Sequence, residues 1–141
     1  MSTDAKPTPR PLPVLDMDNR AYWTGGAEGQ LLIAGCQDCG YLIHPPTSLC
    51  PRCESRLVAP HAVSGRGTII SMTVNHRAWF PTLPVPYVVA LVALDEQADV
   101  HLVTNIVGCD PLEPRIGDRV RVTFEQCEEV WVPLFELERT P

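Results

Sequence analysis

The chain has 141 residues, 45% of them hydrophobic, which suits one compact domain or two very small ones with a real core. No apolar run reaches the roughly 18 residues that a membrane-spanning helix needs. The net charge of −6 is that of a poor general nucleic-acid binder.

Residues 1–13, MSTDAKPTPRPLP, hold no apolar segment of the kind a secretory signal carries. Alternating Pro7, Pro9, Pro11 and Pro13 predict an extended, mobile tail. The expected compartment is the cytoplasm, where paired cysteines more often bind metal than form disulfides. Residues 14–28 predict a short helix, with Asp16 as N-cap and Gly25-Gly26 as its stop. Tyr22 and Trp23 are adjacent on it, so one can dock on the domain while the other meets a partner.

Two matched cysteine pairs follow: Cys36-Gln37-Asp38-Cys39 and Cys50-Pro51-Arg52-Cys53. Thiolates two residues apart on a tight turn can face one ion, and two such turns supply a tetrahedron of sulfur. Gly40 and Pro51 both suit such turns. The pattern predicts bound zinc at Cys36, Cys39, Cys50 and Cys53, although a four-sulfur tetrahedron also suits iron. The apolar runs 31–34 and 41–44 fit the arms of a knuckle hairpin, and Leu57-Val58 can add a third short strand. A closed four-thiolate site builds structure, because it leaves no open position for chemistry.

Ser64-Gly65-Arg66-Gly67 marks a boundary. Beyond it, residues 68–74, 87–94, 100–107, 119–125 and 131–137 read as strands, the last interrupted by Pro133. Five short strands with turns between them predict a small closed barrel of the OB type. The expected organisation is a tail over 1–13, a helix and ribbon over 14–63, and a barrel over 64–141. The fold class is mainly β.

The segment 75–86 carries Pro81, Pro84 and Pro86, which exclude a central strand. As a stiffened loop it presents Trp79, Phe80 and Leu83, candidate partner contacts unless they fold back as a lid. Residues 52–77 carry four arginines against Glu54 alone, a basic stretch suited to a phosphate-bearing small molecule or an acidic partner. Residues 95–141 carry eleven acidic and four basic side chains. His44, His61, His76 and His101 share no metal-ligand spacing, and Cys109 and Cys127 read as buried free thiols. His44 reads as a loop histidine and His101 as pointing to solvent. There is no GxSxG, P-loop, GxGxxG before a helix or HExxH. An enzyme working alone is disfavoured, and no catalytic residue is assigned.

The order of parts is distinctive: Tyr22-Trp23, Cys36-x2-Cys39-Gly40, Pro45-Pro46, Cys50-Pro51-x-Cys53, Ser64-Gly65-x-Gly67, the Pro86-Tyr87-Val88-Val89 strand, then Gly117-Asp118-Arg119-Val120-x-Val122. Over about residues 15–137 it resembles the "domain of unknown function 35" family, in which a rubredoxin-like zinc ribbon is joined to an OB-fold. The resemblance implies zinc on the four cysteines and an accessory role in a hetero-oligomer. The implied partner is a thiolase-superfamily, lipid-transfer-protein-like enzyme acting on acyl-CoA, such as the retro-aldol lyases of steroid side-chain degradation, or a thiolase or acyltransferase. The catalytic residues would then be the partner's. Arg66 and Arg77 become candidate contacts to coenzyme A phosphates, since guanidinium binds phosphate bidentately. Val58-Ala59-Pro60 departs from the family, whose members often carry an aromatic residue there. Two other readings stand beside this one: an OB-fold nucleic-acid binder, which needs exposed aromatics in a positive groove, and a rubredoxin-like electron carrier loaded with iron.

Overall fold

In the computed structural model, which describes residues 10–139, strands dominate and fall into two sheets. The first sheet has the order β2-β1-β3, with β1 at Leu31–Cys36, β2 at Leu42–Ile43 and β3 at Val58–Val63. Leu31 and Ile33 of β1 are buried because alternate residues of a strand share one face. The third strand is longer than the Leu57-Val58 expectation. It runs through Pro60, which lies opposite Ala34 and faces solvent.

The second sheet is a closed barrel in the order β4-β5-β6-β8-β7, with β4 at Arg66–Asn75, β5 at Tyr87–Leu94, β6 at Gln97–Val107, β7 at Arg119–Cys127 and β8 at Val130–Leu137. Neighbours are antiparallel except β6 and β8, which run parallel and meet only at Ile106↔Phe135 and Val107↔Glu136. This is the five-stranded OB arrangement that the strand spacing predicts. Register irregularities at Ile69/Ser71 and Ala93/Leu94 help the sheet curl. Gly67 allows the close approach of β4 to β5, since a Cβ there would lie 2.5 Å from the Ala93 carbonyl oxygen.

Three expectations need correction. The helix predicted over 14–28 is α1 at Arg20–Thr24, followed by a 3-10 turn at Gly25–Glu28. Asp16 is not its N-cap; Asn19 holds that position. The Asp16 carboxylate instead accepts the N–H groups of Asp18 and Asn19, both at 2.8 Å, and that local turn competes with helix. Of the stretch expected as a tail, residues 1–9 lie outside the described residues, but Arg10 to Pro13 lie against the barrel. Arg10 donates to Glu125 at 3.0 Å and to Asn105 at 2.8 Å. Pro133 does not interrupt β8, where it lies opposite Phe124. Its carbonyl accepts the Thr104 hydroxyl at 3.2 Å, so its missing N–H also faces the gap toward β6 and costs no ladder bond.

The two sheets are joined by a side chain acting as a strand. The Gln97 amide accepts from the Leu42 N–H and donates to the Leu42 carbonyl, both at 2.9 Å. Tyr41 adds a hydroxyl bond to Asp99 at 3.0 Å. Leu42 is buried, so Gln97→Ala leaves two backbone groups unpaired. We expect it to cost about 1–3 kcal/mol, read as a lower urea midpoint at unchanged metal content.

Candidate metal centre and aromatic face

Each cysteine pair sits on a knuckle built the same way. The Cys36 N–H donates to the Tyr41 carbonyl and the Cys50 N–H to the Ser55 carbonyl, both at 2.9 Å. The Gly40 N–H returns to the Cys36 carbonyl and the Glu54 N–H to the Cys50 carbonyl, again at 2.9 Å. The fourth residue past each leading cysteine is left-handed, Gly40 at φ 78° and Glu54 at φ 64°. Backbone amides also turn toward sulfur: Cys39 N–H to Cys36 Sγ at 3.5 Å and Arg52 N–H to Cys50 Sγ at 3.4 Å. The Cys39 amide is the first cause drawing the Cys36 thiol down to about 6, with the Asp38 amide and the neighbouring thiols adding to it against burial.

The four sulfurs lie within 4.8 Å of one another. Cys36 and Cys53 are 3.5 Å apart and Cys39 and Cys50 are 3.7 Å apart, far beyond a disulfide bond. A zinc–sulfur bond of about 2.3 Å in a tetrahedron sets sulfur–sulfur edges of about 3.8 Å. The donor set therefore fits a metal ion. Cys36 and Cys50 are buried and Cys39 and Cys53 exposed. The Ser55 hydroxyl, bonded to the Asp38 carboxylate, ties one knuckle to the other.

Loop 75–86 divides its aromatic residues between two environments. The Trp79 indole donates to Asn75 Oδ1 at 3.1 Å, and Arg77 stacks over its ring at 4.4 Å, leaving Trp79 60% exposed. Phe80, still exposed, and the half-buried Leu83 edge a hollow of about 310 Å³ beside β5, β6 and β8. Arg66 and Arg77 are not brought together. Arg66 opens β4 and Arg77 lies two residues beyond its other end, with the whole strand between them. Arg66 pairs with Glu138 at 3.5 Å and faces Arg121 across β7.

The sequence has one of Tyr22 and Trp23 docked and the other free, with His44 in a loop; the structure gathers all three between ribbon and barrel. Tyr22 is buried, in edge contact with Trp23 and 4.9 Å from His44. Burial pushes Tyr22 up and His44 down to about 4, so His44 is neutral near pH 7. Adjacent aromatics and a Pro-Pro after a histidine were the only signals. Cys127 is buried and Cys109 half-buried, and burial raises both thiols. No helix among the described residues is long and apolar enough to cross a membrane.

A two-knuckle, four-cysteine ribbon beside an OB barrel is the class of protein that this geometry defines. The family models for "ChsH2, rubredoxin-like zinc ribbon domain" and "ChsH2, C-terminal OB-fold domain" match residues 23–59 and 60–125. The chain belongs to this ChsH2-type, DUF35 family. It is 36% identical over 135 residues to a probable enoyl-CoA hydratase alpha subunit of Thermomonospora curvata, a match over 94% of this chain and 42% of that protein. It is 34% identical over 121 residues to the 3-oxo-4,17-pregnadiene-20-carboxyl-CoA hydratase alpha subunit of Mycobacterium tuberculosis, covering 86% of this chain and 38% of that one. The chain thus spans about two fifths of these relatives. Among solved structures, a chain of an "Ltp2-ChsH2(DUF35) aldolase" matches with a TM-score of 0.78 and 36% identity, covering 89% of this chain and 98% of that one.

Proposed function

We propose that this chain is a zinc-carrying, non-catalytic accessory subunit that pairs in the cytoplasm with a thiolase-superfamily, lipid-transfer-protein-like enzyme acting on acyl-CoA. A retro-aldol lyase of steroid side-chain degradation fits best. The observation that carries this reading is the match to the aldolase assembly, which takes in nearly the whole of the matched chain. The site chemistry agrees. The described residues gather four cysteine sulfurs into one closed cluster, an arrangement that leaves no open coordination position. Zinc is the ion proposed, because it takes four thiolates without redox chemistry. Colourless protein with stoichiometric zinc supports this, whereas a red, iron-loaded form supports an electron carrier.

The deciding experiment is affinity purification of the tagged chain from its native host, with identification of whatever accompanies it. A thiolase-superfamily chain is expected, with acyl-CoA turnover by the pair and none by this chain alone. The names of two relatives favour a second reading, in which the partner belongs to an acyl-CoA hydratase. A hydratase chain in the same purification would select it. Recovery of nucleic acid alone would overturn both.

Trp79, Phe80 and Leu83 are the proposed partner contacts. Trp79→Ala is expected to weaken the complex by about 2 kcal/mol, roughly thirtyfold, measured by titration against the purified partner. Arg66 and Arg77 are proposed to meet coenzyme A phosphates separately, Arg77 from the Trp79 loop and Arg66 from the far end of β4. Unchanged acyl-CoA affinity of the assembled complex in Arg66→Ala and Arg77→Ala would remove that role.

A further inference from the structure

Three hollows meet around Tyr22. One of about 230 Å³ lies between α1 and the ribbon, and one of about 450 Å³ lies where α1, His44 and β6 converge; both are lined by Asp18, Tyr22 and His44. The second shares Trp23 and Val103 with the Phe80–Leu83 hollow. Through these shared walls they line up as a trench along the junction of ribbon and barrel. Its banks carry apolar side chains that the fold leaves uncovered: Met17 is 97% exposed and Val103 is 72% exposed. An outward valine on a strand and a bare methionine beside a helix start contribute nothing to this chain's own core. Met17 and Val103 edge the hollows themselves, and apolar side chains bared around a concave surface suit contact with another molecule.

Charge decides which molecule. The central hollow is lined by Asp16 and Asp18 and by no lysine or arginine. Of its two histidines, His44 is held neutral by burial, and His101 is turned onto the Ala98 carbonyl through Nε2 at 3.0 Å. At the barrel end, Arg10 is neutralised by Glu125. Arg56, at the ribbon end, is the one further cation lining the trench among the described residues. A coenzyme A moiety with its phosphates would meet carboxylates in the middle of this trench.

We propose that the trench seats a segment of the partner subunit whose apolar side chains fill the hollows beside Tyr22 and Val103 and whose lysines or arginines meet Asp16 and Asp18. This rests on the accessory-subunit reading and extends the contact surface from the Trp79 loop to a second element. Rim charges act mainly on association rate and its salt dependence, and buried apolar anchors on dissociation.

The test titrates the full chain against the thiolase-superfamily protein purified with it, at two ionic strengths. Val103→Glu is expected to weaken binding at least tenfold, chiefly through faster dissociation. Asp18→Lys is expected to slow association severalfold and reduce its salt dependence. Ile116→Asp changes an equally bare residue, 65% exposed in the β6–β7 loop, and is expected to bind as wild type. Metal content and circular dichroism confirm that each variant is folded. Wild-type binding by both trench variants, with Trp79→Ala still weakened, overturns the trench while leaving the accessory role standing. Absence of any complex with the wild-type chain overturns both.

Discussion

Replacing Cys50 with serine is expected to take bound metal from stoichiometric to near zero and to unfold the ribbon while the barrel persists. Cys50 is wholly buried, and its sulfur accepts the Arg52 amide. Leu31, Ile33 and Leu42 pack away from it into the core shared with the barrel, so little else is buried around the knuckles. Their buried cluster is Cys36, Ile43 and Cys50, with Ala34, Tyr41 and Val58 partly buried against it. Two of those three buried residues are candidate metal ligands, so this small cluster and the metal site are the same object. Serine supplies a harder oxygen that stays protonated at neutral pH, and it leaves three thiolates without their fourth partner. In small zinc domains the metal contributes apparent folding free energy of about 10–16 kcal/mol. Losing a large part of that exceeds what a segment this poor in apolar burial can replace. Metal analysis and amide hydrogen exchange check the result: exchange should become fast over residues 36–58 and stay slow in β5 and β6. Cys127→Ser, outside the cluster, should keep its metal. A Cys50→Ser protein with full metal and a protected ribbon would remove Cys50 from the ligand set.

The ribbon was legible because ligand spacing is a local signal: two cysteines and a turn fit within four residues. The barrel was legible for a related reason, since its turns are marked by Gly65, Gly117 and the prolines between runs of β-branched residues. What stayed hidden depended on partners distant in sequence. Tyr87–Leu94 is apolar throughout, so its alternation of half-buried and buried residues emerges only once β4 and β6 flank it. Pro133 reads as a breaker until β8 is seen to face a gap on that side. The junction trench draws on residues 22, 44 and 103, which share no motif. The matched cysteine spacing showed two knuckles, but not that their backbones close alike. CQDCGY and CPRCES share only their cysteines, yet Gly40 and Glu54 adopt the same left-handed backbone. Most residue types can be forced into that shape at a cost of about 1–3 kcal/mol, and here the bond from the Glu54 N–H to the Cys50 carbonyl holds Glu54 in it.

Phe135→Ala is the complementary experiment, expected to weaken the barrel by about 3–5 kcal/mol and spare the metal. Phe135 is fully buried and lies opposite both Ile106 of β6 and Val122 of β7. The first of those pairings is one of only two that close the barrel between β6 and β8. Closure there rests less on backbone ladder than on side chains packed across the seam, and Phe135 is the largest of the fully buried side chains. Truncation to a methyl group leaves a cavity that the short parallel join has few means to collapse around. A typical domain has about 5–15 kcal/mol in total, so the variant should unfold at much lower urea with its zinc still bound at moderate denaturant. Phe135→Ala would then weaken the core that barrel and ribbon share, and Cys50→Ser would undo the knuckles. A loss below about 1 kcal/mol, against the 3–5 kcal/mol usual for a buried phenylalanine, would show that the β6–β8 seam does not hold the barrel shut. The Thr104 hydroxyl on Pro133 and the Arg10 bridge from Asn105 to Glu125 would then be its fastenings.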